Sequence, residues 1–114
     1  MDLSHEDFEW AVAEALDRLP AAVLAILENV VFLVEEEPTA ELGECLGVYD
    51  GVPLPERGFA PPLLPDRIVV FRGPTLRACR DLDSVRHEVA ITLAHEIGHY
   101  VGLDDRRLDE LGWG

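Results

Sequence analysis

The sequence predicts a single α+β domain over residues 1–114, because helical spacing occupies both ends of the chain and three short apolar runs lie between them. At 114 residues, one domain is the typical organisation. Apolar residues make up 48% of the chain, which is enough to form a buried core. The length excludes a two-domain enzyme with a deep cleft between its domains.

Helices are predicted for the N-terminal part of the chain. Ser4 is suited to cap a helix, and Asp7 at the third helical position approximates a capping box. Apolar residues then recur with the spacing of an amphipathic helix, namely Phe8, Ala11, Val12, Ala15, Leu16 and Leu19. Pro20 ends this helix or begins a second short one over Ala21–Leu27.

Strands are predicted for the three apolar runs. Val30–Val34 is continuous and rich in β-branched residues, which indicates a strand covered on both faces. Leu46–Tyr49 is the second strand. Ile68–Phe71 is the third, and a turn at Gly73-Pro74 follows it. The proline-rich stretch Pro53–Pro65 is either a functional rim or a rigid connector.

The longest predicted helix lies near the C-terminus and runs from about Val85 to Val101. Its start has three possible caps, which are Asp81, Asp83 and Ser84. Gly102 ends it, since glycine adopts the left-handed conformation common after a helix. A short helical turn follows around Arg106–Leu111. The side that packs on the sheet is predicted to carry Val89, Ala90, Leu93, Ile97, Tyr100 and Val101.

The charge balance excludes two classes of partner. The chain has 9 basic and 23 acidic side chains, for a formal net charge of −14, and contains no lysine. Nucleic acids and anionic membranes both require basic segments, so we expect neither as a partner. A basic peptide or protein would be attracted. The alternative is that the surplus carboxylates only keep the protein in solution.

A cytoplasmic location is expected. Met1–Trp10 is acidic, unlike the basic start of a signal peptide. The longest apolar runs, Ala21–Leu27 and Val30–Val34, are shorter than the roughly 18 residues that a membrane span requires. Cys45 and Cys79 are far apart and lack the spacing of a redox or zinc motif. We expect two reduced thiols, with one disulfide as the alternative.

The segment from His95 to Asp105 contains HExxH, followed by glycine and then aspartate at three-residue intervals. On an α-helix, His95 and His99 lie about 40° and about 6 Å apart on one face. Both imidazoles can therefore bind one zinc ion at about 2 Å. Glu96 projects about 100° from His95 and borders the metal. In that position it can act as the general base on a bound water.

A tight zinc site needs a third ligand, which must come from chain that turns back towards the helix. Gly102 permits this turn, and Asp105 can then reach the face that carries His95 and His99. These three ligands and one water give the exchangeable position of a catalytic zinc site. Asp104 competes for the ligand role, with a solvated carboxylate or a helix cap as its alternative.

Several nearby residues have a structural as well as a functional interpretation. His99 could be an ordinary core histidine. Thr92 and Glu88 lie on the metal side of the helix, and Glu88 either orients a ligand histidine or is an exposed helix carboxylate. His5 and His87 are expected on the surface.

The run HEIGHYVGLDD resembles the bacterial zincin-like metallopeptidase domain family, and its motif HExGHxxGxxD is matched in full. The resemblance covers most of the chain and is densest from Pro65 onwards. It implies a minimal zincin-like fold, with helices packed on a small mixed sheet of about three strands and the zinc-binding helix near the C-terminus. It also implies a zinc-dependent metallopeptidase, with Glu96 catalytic and Zn²⁺ bound by His95, His99 and Asp105.

The motif is also similar to that of the metzincin proteases with aspartate as third ligand. Metzincins have a methionine-containing turn beneath the metal, whereas this sequence has nine residues after Asp105 and its one methionine is Met1.

Two hypotheses about function follow from these observations. The first is a peptidase whose peptide or protein substrate lies extended along a strand edge. The second is a metal-binding interaction module, or a peptidase active only when a partner completes its cleft.

Overall fold

The computed structural model describes residues 1–27, 29–56 and 64–110. In chain order, the elements are α1 (His5–Asp17), α2 (Ala21–Ile26), β1 (Val30–Glu35), β2 (Gly47–Asp50), a short 3₁₀ helix (Leu54–Glu56), β3 (Asp66–Phe71), α3 (Arg72–Ala78), α4 (Leu82–Tyr100) and α5 (Asp105–Glu110). Helices packed on a small sheet confirm the predicted α+β class. Among the described residues, no helix combines the length and the apolar character needed to cross a membrane.

The three strands form one mixed sheet in the order β1-β3-β2. β1 runs parallel to β3, and β2 runs antiparallel to it. The central strand β3 is buried at every position except the half-buried Arg67. β1 is an edge strand, and its Val31 is 38% exposed. The prediction that Val30–Val34 is covered on both faces is therefore wrong, because an apolar run does not reveal which strand takes the centre of the sheet.

The hydrophobic core lies between the sheet and the helices α1 and α4. Its buried members are Phe8, Val12, Leu27, Ile68, Val70, Leu76, Cys79, Val85, Val89, Leu93, Ile97 and Tyr100. Ala90 was predicted on this face but is exposed. Val89 and Leu93 take the core face, and Ala90 follows Val89 about 100° further round the helix. Cys45 and Cys79 are both free thiols, as expected.

The predicted cap Ser4 begins α1, and Pro20 precedes α2 as predicted. The Ser4 hydroxyl accepts a hydrogen bond from the Asp7 N–H at 3.1 Å, and α1 begins at the next residue, His5. After Pro20, α2 begins at Ala21. A residue with side-chain acceptors before the first turn satisfies an N–H group that has no partner within the helix, which is why this boundary could be read from sequence.

Strand β3 continues directly into helix α3. The prediction of a turn at Gly73-Pro74 is wrong, because both residues lie in the first turn of α3. Proline is tolerated there, since an N–H in the first turn has no partner within the helix. The Thr75 hydroxyl donates to the Phe71 carbonyl at 2.7 Å. The Gly73 N–H donates to the Glu36 carbonyl at 2.9 Å, which ties the start of α3 to the end of β1.

Helix α4 begins at Leu82, three residues before the predicted start, because Asp81 is its cap. The Asp81 carboxylate accepts the Ser84 N–H at 2.8 Å, and the Ser84 hydroxyl accepts the Asp81 N–H at 3.1 Å. This reciprocal pair is a capping box. Of the three candidate caps, the structure selects Asp81.

We expect Asp81→Ala to lower the Tm by about 4 °C at pH 7, the usual effect of losing a helix cap. The Ser84 N–H holds the pKa of the Asp81 carboxyl below its usual range. The unfolded chain therefore takes up this proton at higher pH than the folded protein does. The stabilisation is present above about pH 4 and is lost as the pH falls through the lowered folded-state pKa.

Thermal melts between pH 3 and pH 7 test this prediction. The difference between wild type and Asp81→Ala should shrink towards pH 3. Asp83→Ala is the matched control, since Asp83 lies exposed in the same turn. Equal Tm values for the Asp83 and Asp81 variants at pH 7 would contradict the assignment of the cap.

Candidate metal centre

The three predicted ligands meet at the C-terminal end of α4. The Nε2 atoms of His95 and His99 are 3.1 Å apart. The Asp105 Oδ1 atom lies 3.3 Å from His95 Nε2 and 3.1 Å from His99 Nε2. The ligand atoms of all three residues fall within 4.8 Å of one another. Donor atoms about 2 Å from one zinc ion are at most about 4 Å apart, so this group could hold a metal ion.

The chain returns to the helix through the turn predicted at Gly102. Gly102 has a φ of +97°, in the left-handed region that favours glycine. Its N–H donates to the His99 carbonyl at 3.0 Å, and the Leu103 N–H donates to the Gly98 carbonyl at 2.9 Å. These two bonds form a Schellman motif. The turn leads the chain directly into α5, whose first residue is Asp105.

The carboxylates of Asp104 and Asp105 make different contacts. The Asp104 carboxylate accepts the Arg107 N–H at 2.8 Å, which makes Asp104 the cap of α5. Asp105 lies against the two histidines. The structure therefore places Asp104 in the role of helix cap and brings only Asp105 into the cluster.

Helix α5 packs closely on α4 at Gly98, the position of α4 that has no side chain. A Cβ atom built on Gly98 would lie 2.3 Å from the Leu108 Cδ2 atom, and Leu108 is fully buried. Leu108 is one turn after Asp105, so both lie on the same side of α5. The contact between Gly98 and Leu108 thus sets the height of α5 above α4 and, with it, the position of Asp105.

We expect Gly98→Ala to lower zinc affinity, because the added methyl group must displace Leu108 and the helix that carries Asp105. Overpacking of this kind typically costs about 1–3 kcal/mol of stability. Titration with zinc and thermal unfolding measure the two effects. Adding Leu108→Val removes the colliding atom and should partly restore affinity in the double variant. Independent, additive effects of the two substitutions would contradict this interpretation.

Both histidines are oriented by their surroundings. The His99 Nδ1 atom lies 3.1 Å from the Leu103 carbonyl oxygen. A proton on Nδ1 donates to that oxygen and leaves the lone pair of Nε2 for a metal. The His95 and His99 rings lie edge to face, with centroids 4.7 Å apart. The turn after α4 therefore positions Asp105 and also fixes the ring of His99.

Glu96 lies beside this group, between α4 and β2, and is only 7% exposed. Burial raises the pKa of its carboxyl, against the charges of His95 and His99 and a backbone hydrogen bond from Tyr49. A carboxylate with a raised pKa is a better proton acceptor. The position beside the metal group and the direction of the pKa shift both suit the general base predicted from sequence.

A cleft of about 610 Å³ opens beside His95, Glu96 and His99. Strand β2 forms one wall, and the 3₁₀ helix Leu54–Glu56 contributes Glu56 to the rim. A Cβ atom on Gly102 would lie 2.5 Å from the Pro55 Cγ atom, so the 3₁₀ helix packs against the end of α4. The first part of the proline-rich stretch therefore borders the cleft, and residues 57–63 lie outside the described residues.

The other polar residues of α4 differ in their surroundings. Thr92 is buried, and its Cγ2 atom lies 2.5 Å from the place of a Cβ on Gly47. Thr92 therefore packs against β2. Glu88 is half-buried and lines a smaller hollow next to His95. His5 and His87 are exposed, as predicted.

The pair formed by Tyr49 and Asp66 was not predicted. The Tyr49 hydroxyl donates to the Asp66 carboxylate at 2.5 Å, and Asp66 is 5% exposed. The Tyr49 ring packs edge to face on Tyr100, with centroids 5.8 Å apart. Nothing in the sequence indicated this pair, since its members are 17 residues apart and meet only when β2 pairs with β3. The contacts of Tyr49 with Asp66 and Tyr100 join β2, which forms a wall of the cleft, to β3 and α4.

Comparisons with known proteins agree with this geometry. The sequence model described as zincin-like metallopeptidase matches residues 27–113. A solved structure, a conserved hypothetical protein from Thermo thermophilus, is similar with a TM-score of 0.60 and 24% sequence identity. The similarity covers 96% of this chain and 97% of that chain, and at this identity it shows the fold alone. No curated protein matches the chain.

The family match spans well over half of the chain and includes every residue of the metal group. It confirms the resemblance read from HEIGHYVGLDD, and the family implies zinc as the metal. The three-stranded mixed sheet with α4 near the C-terminus confirms the minimal zincin-like fold. The chain belongs to the zincin-like metallopeptidase family.

Proposed function

We propose that this protein is a zinc-dependent metallopeptidase that hydrolyses peptide bonds with Glu96 as the general base. The observation that carries the proposal is the meeting of His95, His99 and Asp105 next to a buried carboxylate in an open cleft. Zinc held by these three ligands would supply a Lewis acid that lowers the pKa of water to about 7.

Glu96 would take a proton from the attacking water and later give it to the leaving amine. Its carboxylate is held by the backbone of Tyr49 on one side of the cleft. It follows His95 in α4 and lines the same cleft as His95 and His99. Holding the base in place before the reaction removes the entropic cost of orienting it.

The edge of β2 is the strand edge that would hold the substrate. The Phe71 N–H donates to the Leu46 carbonyl at 2.8 Å, and Val48 is paired with Val69 two residues further along. In an antiparallel pair, backbone groups point alternately towards and away from the partner strand. Gly47 and Tyr49 therefore direct their backbone groups away from β3. The Tyr49 N–H bonds the Glu96 carboxyl, so an extended peptide would be added through carbonyl oxygens of this edge.

Metal removal tests the proposal. Elemental analysis of the purified protein should find one zinc ion per chain, and a peptide-library screen should detect cleavage. We expect a chelator to abolish that cleavage and added zinc to restore it, because the water is activated only when the ligands hold the ion. Cleavage that continues unchanged in the metal-free protein would refute the proposed function.

A further inference from the structure

The cleft beside the candidate metal group is lined by acidic side chains and, among the described residues, by no arginine. Glu56 and Asp104 line the cleft in addition to Glu96 and the histidines. A hollow of about 270 Å³ adjoins it, shares His95 and Glu96 with it, and is lined by Glu88. Among the described residues, no arginine lines either space. Carboxylates thus occur on both sides of the metal group.

Two of these carboxylates, Glu56 and Glu88, are not paired with an arginine of the described residues. Within residues 1–27, 29–56 and 64–110, neither Glu56 nor Glu88 has an ion-pair partner. Arginines elsewhere pair with carboxylates outside the cleft, as Arg77 does with Glu37 and Glu44, both at 2.7 Å. Among the described residues, no arginine therefore competes for Glu56 or Glu88 with a molecule that enters the cleft.

The cleft also has apolar surface, to which Leu42, Pro53 and Leu103 contribute. Lysine and arginine combine an apolar stem with a cationic head. An apolar wall with carboxylates at its rim suits both parts of such a side chain. The net charge of −14 attracts cations to the whole molecule, and a cleft lined by one sign of charge strengthens the local field.

The geometry of helix α4 gives the distance between Glu88 and the metal group. Glu88 precedes His95 by seven residues, so the two lie on the same face of α4 and about 10 Å apart along its axis. An extended peptide advances about 3.3 Å per residue. The side chain that reaches Glu88 therefore belongs to a residue about three positions from the bond held at the metal group. Asp104 lies beyond His99, on the other side.

We infer that this cleft binds peptide segments with arginine or lysine on both sides of the bond to be cut, about three residues from it on the Glu88 side. The inference rests on the proposed peptidase function and adds its substrate class. Glu88 is the residue that determines the preference on its side, through charge attraction and without contact with the reacting atoms.

The test uses the zinc-loaded protein and three peptides that are identical except at the flanking positions, which hold arginine, citrulline or glutamate. Citrulline has nearly the shape of arginine without its charge. We expect kcat/KM to be about two- to fivefold higher for arginine than for citrulline at each position, and lowest for glutamate. The preference should weaken at 0.5 M salt.

Glu88→Gln should remove the preference for arginine over citrulline at the position on the Glu88 side. Asp83→Asn removes the same charge from the exposed first turn of α4 and should leave that preference unchanged.

Binding of the three peptides to zinc-loaded Glu96→Gln, measured by fluorescence anisotropy, gives a readout independent of cleavage. Preferential binding of the arginine peptide without cleavage by the wild type would support the inferred ligand class and refute the peptidase function. Equal affinities for all three peptides, no binding, or equal effects of the two variants would overturn the inference.

Discussion

Replacing Glu96 by glutamine is expected to lower kcat/KM for peptide cleavage by about 10²–10⁴-fold, the usual contribution of a general base, while zinc stays bound. Glutamine has nearly the same size and can still accept the backbone hydrogen bond from Tyr49. It cannot accept the proton of the attacking water. Because His95, His99 and Asp105 are unchanged, the zinc content should equal that of the wild type.

The measurement combines elemental analysis with cleavage of a peptide that the wild type cuts. Glu6→Gln is a suitable control, since Glu6 lies exposed in the first turn of α1, outside the cleft lining. Unchanged cleavage by the Glu96 variant would show that another group is the base. A wild type that binds zinc and cuts no peptide would instead favour the interaction module as the function of this chain.

Replacing Asp105 by alanine is expected to weaken zinc binding by more than 100-fold. Removing a residue that only orients a ligand typically costs about 10–100-fold, and the loss of one of three ligands should cost more. Asp104→Ala should leave zinc affinity near that of the wild type. It removes the cap of α5 and should cost about 1 kcal/mol of stability, since the Asp104 carboxylate accepts the Arg107 N–H.

Competition with a chromophoric chelator measures both zinc affinities, and thermal unfolding of the metal-free proteins measures both stabilities. Asp104→Ala is the matched control for Asp105→Ala, because the two variants remove neighbouring carboxylates from the same turn. Loss of zinc binding from Asp104→Ala alone would reverse the assignment of the ligand. Equal losses from both would indicate that zinc affinity depends on the fold of α5 as a whole.

Patterns within a few residues were sufficient for most of the helices. Ser4 and the turn at Gly102 and Leu103 define helix boundaries through hydrogen bonds that span only three to five positions, so their effects can be read locally. The pairing of His95 with His99 is likewise a property of one helical turn. The start of α4 was predicted less well because three adjacent residues could each be its cap, and only the folded chain selects Asp81.

The order of the strands could not be predicted in the same way. Val30–Val34 and Ile68–Phe71 are both short apolar runs, yet only the second is the central strand. Which run lies at the centre depends on pairing between residues more than 30 positions apart, such as Val34 with Val70. Helix α3 was missed because glycine and proline commonly mark turns, while proline is also compatible with the first turn of a helix.

The sequence by itself determined the helices at both ends, the resemblance to the family, and the two histidines proposed to bind zinc, because each of these depends on spacing along a single segment. Only the tertiary structure decided that Asp105 faces the histidines while Asp104 caps α5, and that β2 forms the wall of the cleft. Those outcomes depend on how closely α5 approaches Gly98 and on which strands pair. Such contacts join residues distant in sequence, and their geometry is set by packing and not by periodicity.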